Sequence, residues 1–400
     1  MRRICVVGAS LAGWNAATTL RREGFDGELT LVGAETEPPY DRPPLSKAFL
    51  ATGEEAKVAL GGVADSEALA ITWRLGRRAV RLRLGDRVVD LDDGTEVAFD
   101  GLVLTGGAEV RTLPSLPVGN GVHVLRTVAD ARELRADLDR RNGPVLVVGA
   151  GFIGAEVAAT CRQAGREVVL VEAAEVPLER AVGTEIGAVC ASLHREHGVD
   201  VRLGTAVVGR DSSGAVRLDD GTTVDAAVVV VGVGVAPSTR WLEGSGLLLE
   251  DGVVCDATGL AAAGVVAAGD IARWPNELFF GDSMRVEHWD NAIDMGAFVA
   301  RRLLAGTDWD PRAVFAPVPW FWSDQYDRKM QMAGRSTGFD RMEVAGGTLE
   351  ERRFVALYRR QGRLIAAFGM NRPRHVVQCR SLIARRCPWE EARELAAAWT

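Results

Sequence analysis

Short apolar runs that end at glycine-rich turns recur along this 400-residue chain, and stretches with helical spacing of apolar residues follow the turns. The clearest case lies near the middle of the chain. The run Val145–Val148 leads into a turn at residues 149–154, and a helical stretch extends to about Arg162. A second apolar run, Val168–Val171, ends at Glu172. This order predicts the strand–helix–strand unit of a dinucleotide-binding site.

The residue types in this central unit suit a bound dinucleotide. Gly149 allows the tight turn, Gly151 lets a pyrophosphate approach the backbone, and Gly154 lets the helix touch the strand. The N-terminus of the helix attracts phosphates through its free N–H groups and partial positive charge. Glu172 can accept hydrogen bonds from a ribose 2′-OH and would repel a 2′-phosphate, which favours NADH over NADPH. The alternative is a glycine-rich turn that serves packing alone.

The first stretch of the chain repeats this order. A strand is expected at residues 4–7, a turn at 8–13 and a helix at 14–22. A second strand at 29–32 and an acid at 35 follow. Gly8 and Gly13 match the first and third glycines of the central unit, but Ser10 replaces the middle one. Serine is small enough for close approach, and its hydroxyl could bind a phosphate oxygen. Glu35 is the candidate ribose acceptor of this unit.

A second repeated feature is an antiparallel appendage in each half. The sequence Leu-Asp-Asp-Gly-Thr occurs at 91–95 and again at 218–222, and each copy predicts a hairpin turn followed by an apolar strand. The first of these strands ends in Thr105-Gly106-Gly107 and the second at residues 232–234. The repeats indicate an α/β protein with two Rossmann-like nucleotide-binding domains.

Lys47 stands out in the proline-rich segment 39–47. The chain has lysine only at 47, 57 and 329, while the other basic residues are arginine. A compact ammonium suits a buried point-charge role in which a forked guanidinium would not fit. The alternative is an ordinary surface lysine. The preceding Ser46 is expected to cap the start of a helix.

Further candidates follow residue 236. A buried strand ends in Gly269 and Asp270, at the carboxyl edge where ligands of open sheets bind, so Asp270 suits a hydroxyl acceptor. Residues 287–292 open a helix to about Leu304, whose N-terminus could face an anionic cofactor edge. Trp320 and Trp322 suit a cofactor wall or a packed core equally well.

Residues 317–400 differ in character and predict an α+β domain. Three apolar stretches with strand character lie at 329–333, 353–358 and 364–368, and Gln361-Gly362 marks a turn between the last two. Helices are expected to begin at Pro373 and at about Glu390.

Composition excludes several classes of protein. The six cysteines form no CxxC pair, which is typical of reduced thiols in a cytoplasmic protein. The five histidines show no metal-ligand spacing, and His194 and His197 are expected on a solvated helix face. The longest apolar run, 226–236, is too short to span a bilayer. Because a strand follows the opening residues directly, no signal peptide is expected.

Charge is unevenly distributed. Residues 301–400 hold 18 Lys+Arg and 11 Asp+Glu, a net of +7, while the whole chain is −7, so residues 1–300 carry −14. A basic end on an acidic protein suggests a local docking face for an acidic partner and not for nucleic acid. The alternative is chance.

On these residues the chain resembles the NADH-dependent ferredoxin reductases of oxygenase systems. The resemblance extends over nearly the whole chain. Its motifs are the Gly8 turn, 39–47, Thr105-Gly106, 125–127, the Gly149 turn with Glu156, Gly269-Asp270, 287–292 and 319–325. It implies a glutathione-reductase-like layout. FAD would bind to residues 1–112 and 241–316, NADH to 113–240, and an α+β domain at 317–400 would cover the flavin.

The resemblance also implies roles for single residues. For FAD, those roles fall to Ser10, Ala12, Gly13, Glu35, Arg42, Val80, Thr105, Gly106, Arg126, Gly269, Asp270, Glu287, His288, Trp289 and Trp322. For NADH, they fall to Gly149, Gly151, Ile153, Gly154 and Glu172, with Glu156 at the nicotinamide end. Lys47, near flavin N5, and Glu156 are the implied catalytic residues. Ser10 departs from the usual fingerprint, which puts the phosphate geometry in doubt.

The implied reaction passes electrons from NADH through FAD to a [2Fe-2S] ferredoxin that serves an oxygenase or a cytochrome P450. No metal of its own, nucleic acid or membrane is implied. Because ferredoxins are usually acidic, basic residues near the C-terminus are candidate docking residues: Arg301, Arg302, Arg328, Lys329, Arg372 and Arg374.

Several rival functions share this layout. Disulfide reductases need two thiols near the flavin, and Ala48-Phe49-Leu50 carries none where they commonly lie. Oxidases and peroxidases with a single reactive cysteine lack their nucleophile here as well. A rubredoxin reductase or the flavin subunit of a nitrite reductase remains open. So does a redox-sensing flavoprotein that acts as a binding module.

Overall fold

We describe the protein from a computed structural model that covers residues 1–63 and 66–399. Its α-helices are α1 (Leu11–Arg22), α2 (Ala48–Thr52), α3 (Val128–Arg140), α4 (Phe152–Gln163), α5 (Glu179–Glu196), α6 (Trp289–Ala305), α7 (Pro373–Ala384) and α8 (Trp389–Ala396). Short 3₁₀ helices lie between them, including Pro43–Ser46 and Gly269–Ile271. Among the described residues, no helix is both long enough and apolar enough to cross a membrane.

The strands fall into four stretches of the chain. The first holds β1 (Arg3–Val7), β2 (Glu28–Gly33), β3 (Ile71–Leu75), β4 (Ala79–Arg83), β5 (Val88–Leu91), β6 (Glu96–Ala98), β7 (Gly101–Leu104) and β8 (Ala108–Val110). The second holds β9 (Val122–His123), β10 (Val145–Val148), β11 (Val168–Val171), β12 (Asp200–Arg202), β13 (Val207–Arg210), β14 (Val216–Leu218), β15 (Thr223–Val224), β16 (Val228–Val231) and β17 (Val235–Pro237). The third holds β18 (Val253–Val254), β19 (Leu260–Ala262), β20 (Val265–Ala267), β21 (Ala272–Asn276) and β22 (Asp282–Met284). The last holds β23 (Trp320–Gln325), β24 (Arg328–Gly334), β25 (Arg341–Thr348), β26 (Arg353–Arg360) and β27 (Arg363–Met370).

The chain divides into two compact units. Unit 1 comprises residues 1–41, 59–109 and 236–319, and unit 2 comprises 42–58, 110–235 and the residues from 320 onward. The predicted domain limits at 112, 240 and 316 stay predictions.

Unit 1 is built on a sheet with the strand order β19-β20-β7-β1-β2-β3. β1 lies at its centre and pairs in parallel with β2 and β7. It is central because Ile4–Val7 of this strand are all buried, as an inner strand covered on both faces requires. Helix α1 packs closely on α6, since a Cβ on Gly296 would lie 2.4 Å from the Ala12 carbonyl oxygen. The Rossmann-like first domain is confirmed.

Unit 2 contains a parallel sheet with the order β12-β11-β10-β16-β9. Alternate residues of β10 serve two separate cores, because successive strand side chains point to opposite faces. Val145 and Val147 pack in one cluster with Val157 of α4, and Leu146 and Val148 pack in the other. The apolar strand β10 and the helix α4 that follows its turn therefore form as the sequence predicts.

The C-terminal part of unit 2 is an antiparallel sheet with the order β23-β24-β27-β26-β25, and α7 and α8 follow it. The three expected strands are confirmed, as is the α+β character. Strands β23 and β25 were not predicted from the sequence. The aromatic run of β23 carries no clear alternation, and β25 is mostly half-buried and contains the glycine pair Gly346-Gly347.

Candidate active site

The first glycine-rich turn lies at the carboxyl end of β1. Gly8 has φ +119°, and a Cβ there would lie 2.0 Å from the Thr105 carbonyl oxygen. A Cβ on Gly13 would lie 1.9 Å from the Gly8 carbonyl oxygen, to which Thr105 Oγ1 donates at 3.0 Å. Ser10 is the extended N-cap residue of α1. Backbone contacts that only glycine permits therefore close the turn and leave Ser10 at the helix start.

Other predicted flavin residues gather around this turn in unit 1. Gly269 has φ +73°, and a Cβ on it would lie 3.0 Å from Ala12 Cβ. A Cβ on Gly106 would meet Ile271 Cδ1 at 3.5 Å. Asp270 stands between Gly269 and Ile271 and is half-exposed. The structure thus brings Ala12, Gly106, Gly269 and Asp270 together at the carboxyl edge of the sheet.

Glu35 follows β2, at the position of a ribose acceptor. Tyr40 Oη donates to Glu35 Oε2 at 2.5 Å, which orients the carboxylate. An ionised carboxylate has about four acceptor positions, and a ribose hydroxyl would need one of them. Tyr40 was not predicted to have this role, although it lies in the 39–47 motif.

The start of α6 holds three of the predicted flavin residues. Trp289 Nε1 donates to Asp41 Oδ1 at 2.8 Å, so an acid that was not assigned a role fixes the indole. His288 is the N-cap residue, and burial lowers its pKa to about 4, with the Asp270 carboxylate acting in the opposite direction. The Glu287 carboxylate is paired with Arg285. Its side chain is therefore engaged within the protein.

The second glycine-rich turn lies at the carboxyl end of β10. Gly149 has φ +100°, and a Cβ on it would lie 2.4 Å from the Gly232 carbonyl oxygen. A Cβ on Gly154 would lie 2.0 Å from the Gly149 carbonyl oxygen. By contrast, no described atom lies within 4 Å of a Cβ built on Gly151, the N-cap residue of α4. Two glycines close the turn and the third leaves open space, as a pyrophosphate requires.

Glu172 holds the same turn through its side chain. Its Oε2 accepts a hydrogen bond from the Ala150 amide at 2.7 Å, and its Oε1 accepts one from Ala174 at 3.0 Å. Each oxygen has a second lone pair available. Ile153 is 48% exposed beside the helix start. These residues fit a nucleotide whose ribose approaches the end of β11.

Lys47 and Glu156 form an ion pair within unit 2. Lys47 Nζ lies 2.9 Å from Glu156 Oε1, and the two side chains are 19% and 3% exposed. Ser46 Oγ donates to Glu156 Oε2 at 2.5 Å, and Ser323 Oγ donates to Oε1 at 2.7 Å. Lys47 is thus mostly covered and paired, which disagrees with the alternative of an ordinary surface lysine, and its role at the flavin stays a prediction. Ser46 does not cap a helix, because Lys47 holds the N-cap position of α2.

Arg42 and Arg126 are also brought together in unit 2. Arg42 Nη1 donates to the Arg126 carbonyl oxygen at 2.5 Å. The Arg126 amide donates to Asp130 Oδ2 at 3.0 Å, next to the capping box that Thr127 and Asp130 form at the start of α3. A helix cap therefore positions these two predicted phosphate contacts.

The aromatic stretch 320–322 lies on β23. Trp320 and Trp322 stack with ring centroids 5.3 Å apart, and both are half-exposed. Phe321 meets Phe152 of α4 edge to face at 4.6 Å. Val80, on β4 of unit 1, is 47% exposed. The roles of Trp322 and Val80 at the flavin stay predictions.

Two sequence expectations are wrong. His194 does not lie on a solvated helix face, because it is 2% exposed and burial lowers its pKa to about 4. Arg372 is only 6% exposed, so it is unsuited to a docking surface. Arg301 is paired with Glu23, Arg328 with Asp327 and Lys329 with Asp324. Because these three side chains are paired with carboxylates, less of their positive charge is available to attract an acidic partner.

The six cysteines are all free and buried. Burial raises the pKa to about 12 for Cys5, Cys161, Cys190, Cys255 and Cys379. A buried thiol with a raised pKa is a poor nucleophile. In the described part of the chain, no group of three or more His, Cys, Asp or Glu residues could hold a metal ion.

Comparisons with known proteins agree with this geometry. Residues 2–296 match the family model of pyridine nucleotide-disulphide oxidoreductases, and residues 320–398 match the model of the reductase C-terminal domain. The chain is 36% identical to rhodocoxin reductase of Rhodococcus erythropolis over 96% of this chain and 90% of that protein. It is 40% identical to the ferredoxin–NAD(+) reductase component of the p-cumate 2,3-dioxygenase system of Pseudomonas putida, over 83% of this chain and 81% of that protein.

A solved structure shares the fold along its whole length. The covalent complex of putidaredoxin reductase with putidaredoxin contains a chain that matches with a TM-score of 0.91 and 32% identity, over 99% of both chains. The resemblance inferred from the sequence is confirmed. This chain therefore belongs to the pyridine nucleotide-disulphide oxidoreductase family and carries a reductase C-terminal domain.

Proposed function

We propose that this protein is an NADH-dependent ferredoxin reductase that passes electrons from NADH through FAD to a [2Fe-2S] ferredoxin of an oxygenase or cytochrome P450 system. The curated relatives above are reductase components of such systems, and they match over more than four-fifths of their length. FAD and NAD(H) are the cofactors that the family implies.

One observation carries the proposal: the chain has two similarly built nucleotide turns but no activated thiol. Gly8 and Gly149 close the two turns against the backbone of the next parallel strand. The cysteines are buried and have raised pKa values. The final electron acceptor is therefore an external molecule and not a disulfide of this chain.

The residues of each unit have distinct tasks. When bound, FAD would supply the chemistry that couples a two-electron hydride donor, NADH, to a one-electron acceptor. In unit 1, the turn at Gly8 with Ser10 and Gly13 binds the FAD pyrophosphate, and Glu35 binds its ribose. In unit 2, the turn at Gly149 and the acid Glu172 bind NADH. Glu172 excludes a 2′-phosphate by charge repulsion, which makes NADH the donor.

Lys47 and Glu156 are the proposed catalytic residues. The carboxylate holds the ammonium by a 2.9 Å contact, and Ser46 and Ser323 fix the carboxylate. Such a pair supplies positive potential from the ammonium without leaving a buried charge uncompensated. Within unit 1, the helix dipole at the start of α6, at Trp289, favours negative charge nearby.

Docking of an acidic ferredoxin would use the basic C-terminal quarter of the chain. Arg374 is exposed, whereas Lys329 and Arg328 are partly neutralised by Asp324 and Asp327. These three residues are the docking candidates that we propose on unit 2, and Arg301, which is exposed on unit 1, is paired with Glu23. The six free thiols favour a reducing compartment, and we place the protein in the cytoplasm.

The test is steady-state oxidation of NADH by the FAD-loaded protein, with cytochrome c as the final electron acceptor. We expect rapid reduction only when a [2Fe-2S] ferredoxin is added, and a rate that falls as ionic strength rises. Replacing Arg328, Lys329 and Arg374 with Gln should weaken this salt dependence and leave NADH–ferricyanide activity unchanged. Arg312→Gln, at a residue that is 89% exposed on unit 1, is the control.

Other outcomes would replace the proposal. Faster reduction of rubredoxin than of any ferredoxin in a panel would identify a rubredoxin reductase. Electron delivery only to a purified sirohaem subunit would identify the flavin subunit of a nitrite reductase. Slow turnover with every acceptor, together with a persistent complex with NAD, would indicate a redox-sensing binding module.

A further inference from the structure

A row of buried polar side chains runs through unit 2 and ends on Glu156. Ser323 Oγ donates to Glu156 Oε1 at 2.7 Å, on the same oxygen that Lys47 Nζ contacts. Gln325 Nε2 in turn donates to Ser323 Oγ at 3.1 Å. Ser323 and Gln325 are both 0% exposed and point to one face of β23, because they are two residues apart.

The row continues from Gln325 to His194 on α5. Gln325 Oε1 and His194 Nε2 are buried, and neither meets a partner of standard geometry among the described residues. The Gln325 amide is nevertheless near enough for its hydrogen bonding to raise the pKa of His194, against the larger lowering caused by burial. The two side chains therefore lie close together, and no standard hydrogen bond joins them.

Tyr326 forms the outer end of the row. Tyr326 Oη lies 2.9 Å from His194 Nδ1, and the tyrosine ring stacks on His197 with centroids 3.7 Å apart and planes 8° apart. Its φ of +56° is uncommon for a bulky residue and costs energy unless the surroundings hold it. Tyr326 lies in the two-residue turn between β23 and β24, where Gln325 pairs with Arg328, and such turns use positive φ.

Hydrogen-bond chemistry gives the row a single direction. The Gln325 carbonyl oxygen can only accept, so pairing with it would require the proton on His194 Nε2 and would make Nδ1 the acceptor of the Tyr326 hydroxyl. Gln325 then donates to Ser323, whose one hydrogen goes to the Glu156 carboxylate. The two hydrogen bonds from Gln325 through Ser323 both point toward Glu156, and hydrogen bonds in such a chain strengthen one another.

We propose that Ser323, Gln325, His194 and Tyr326 are positioning residues that fix Glu156, and through it the Lys47 ammonium, for the hydride step. The inference rests on the proposed function, in which Lys47 and Glu156 are the catalytic pair. The row does not conduct protons, because the amide of Gln325 would have to pass through an unfavourable tautomer. Its effect is geometric: it restricts the carboxylate to one rotamer.

The lysine content of the chain allows a direct test. Lys57 and Lys329 are 48% and 47% exposed, so they serve as internal references for the reactivity of Lys47 toward reductive methylation. Labelling of the FAD-loaded protein, measured by peptide mass spectrometry, reports how tightly Glu156 holds Lys47. Stopped-flow reduction of the protein by NADH reports the hydride step.

Three variants interrupt the row, and two have matched controls. Ser323→Ala is compared with Ser336→Ala, whose buried hydroxyl donates to the Ala181 carbonyl oxygen. Tyr326→Phe is compared with Tyr358→Phe, whose buried hydroxyl donates to the Val182 carbonyl oxygen at 2.7 Å. Gln325→Leu removes the middle of the row. If it does not fold, the other two variants carry the test, since each removes a single oxygen.

We expect Lys47 labelling to rise roughly fivefold in Ser323→Ala, about threefold in Gln325→Leu and about twofold in Tyr326→Phe, as one lost hydrogen bond would allow. The rate of reduction by saturating NADH should fall in the same order with little change in KM. Ser336→Ala and Tyr358→Phe should change neither quantity.

Two results would overturn the proposal. One is Lys47 labelling in the row variants that equals that of the controls. The other is increased labelling with an unchanged rate of reduction by NADH. The labelling comparison uses no NADH, so it tests the positioning role of the row independently of catalysis. A wild-type protein that cannot oxidise NADH would refute the proposed function separately.

Discussion

Lys47 Nζ lies 2.9 Å from Glu156 Oε1, and this ion pair joins the start of α2 to α4 within unit 2. The carboxylate also accepts hydrogen bonds from two serine hydroxyls. Because Glu156 is 3% exposed, its charge depends on these partners and not on water. A guanidinium would present a wider, planar fork, which explains why a chain so rich in arginine has lysine here.

Removing one member of the pair should cost more than removing both. We expect Glu156→Gln to lower the free energy of unfolding by about 2–4 kcal/mol, since it leaves a largely buried ammonium without its counter-charge. Adding Lys47→Met should recover part of that loss. Urea unfolding of the two single variants and the double variant measures the coupling. Purely additive losses would show that the two charges do not depend on each other.

Alanine at Gly149 and at Gly151 should have opposite consequences. Gly149→Ala meets the Gly232 carbonyl at 2.4 Å and has φ +100°, so we expect a loss of roughly 2–4 kcal/mol of stability. Gly151→Ala meets no described atom within 4 Å and should leave the melting temperature unchanged. Its KM for NADH should nevertheless rise about tenfold or more, because the methyl group occupies the pyrophosphate path. An unchanged KM would remove Gly151 from the NADH site.

Glu172 should determine the choice between NADH and NADPH. Glu172→Gln removes the repulsion of a 2′-phosphate, so the preference for NADH in kcat/KM should fall by roughly tenfold or more. The variant should also lose about 1–2 kcal/mol of stability, because an amide N–H₂ replaces one acceptor of the Ala150 or Ala174 amide. Glu175→Gln, at a nearby acid beyond the same strand, is the control. Wild-type activity with NADPH equal to that with NADH would refute the role of Glu172.

His194 should make stability depend on pH in the acid range. Its folded-state pKa of about 4 lies below the unfolded value of 6.5, so the unfolded chain binds the proton first. The free energy of unfolding should therefore be full above about pH 6.5 and fall by roughly 2–3 kcal/mol as pH decreases toward 4. Thermal unfolding between pH 4 and 8 measures this slope.

Substitution separates His194 from its neighbour. His194→Gln should remove about half of the pH dependence, because buried His288, whose pKa is also lowered to about 4, keeps its own share. His197→Gln should lower stability because it removes the stack on Tyr326. An unaltered slope in His194→Gln would assign the acid sensitivity to other groups.

Local sequence was sufficient for the elements that carry the nucleotide turns. Gly8, Gly13, Gly149 and Gly154 were identified from their spacing, since a positive φ or a contact too close for a Cβ is a property of a few adjacent residues. The hairpins at 91–95 and 218–222 formed for the same reason. Lys47 was singled out by composition alone, and its burial agrees with that prediction.

Partners distant in the chain were decided only by the tertiary structure. Asp41 and Trp289 are 248 residues apart, and Ser323 and Glu156 are 167 apart, so no periodic pattern could pair them. The same holds for His194, which its sequence neighbourhood placed in solvent and which is buried, with Tyr326 from the turn after β23 in contact with its ring. The sequence by itself determined where backbone geometry is special. The packing of whole elements decided which polar side chains meet, because their desolvation and hydrogen bonding depend on neighbours that the local chain does not contain.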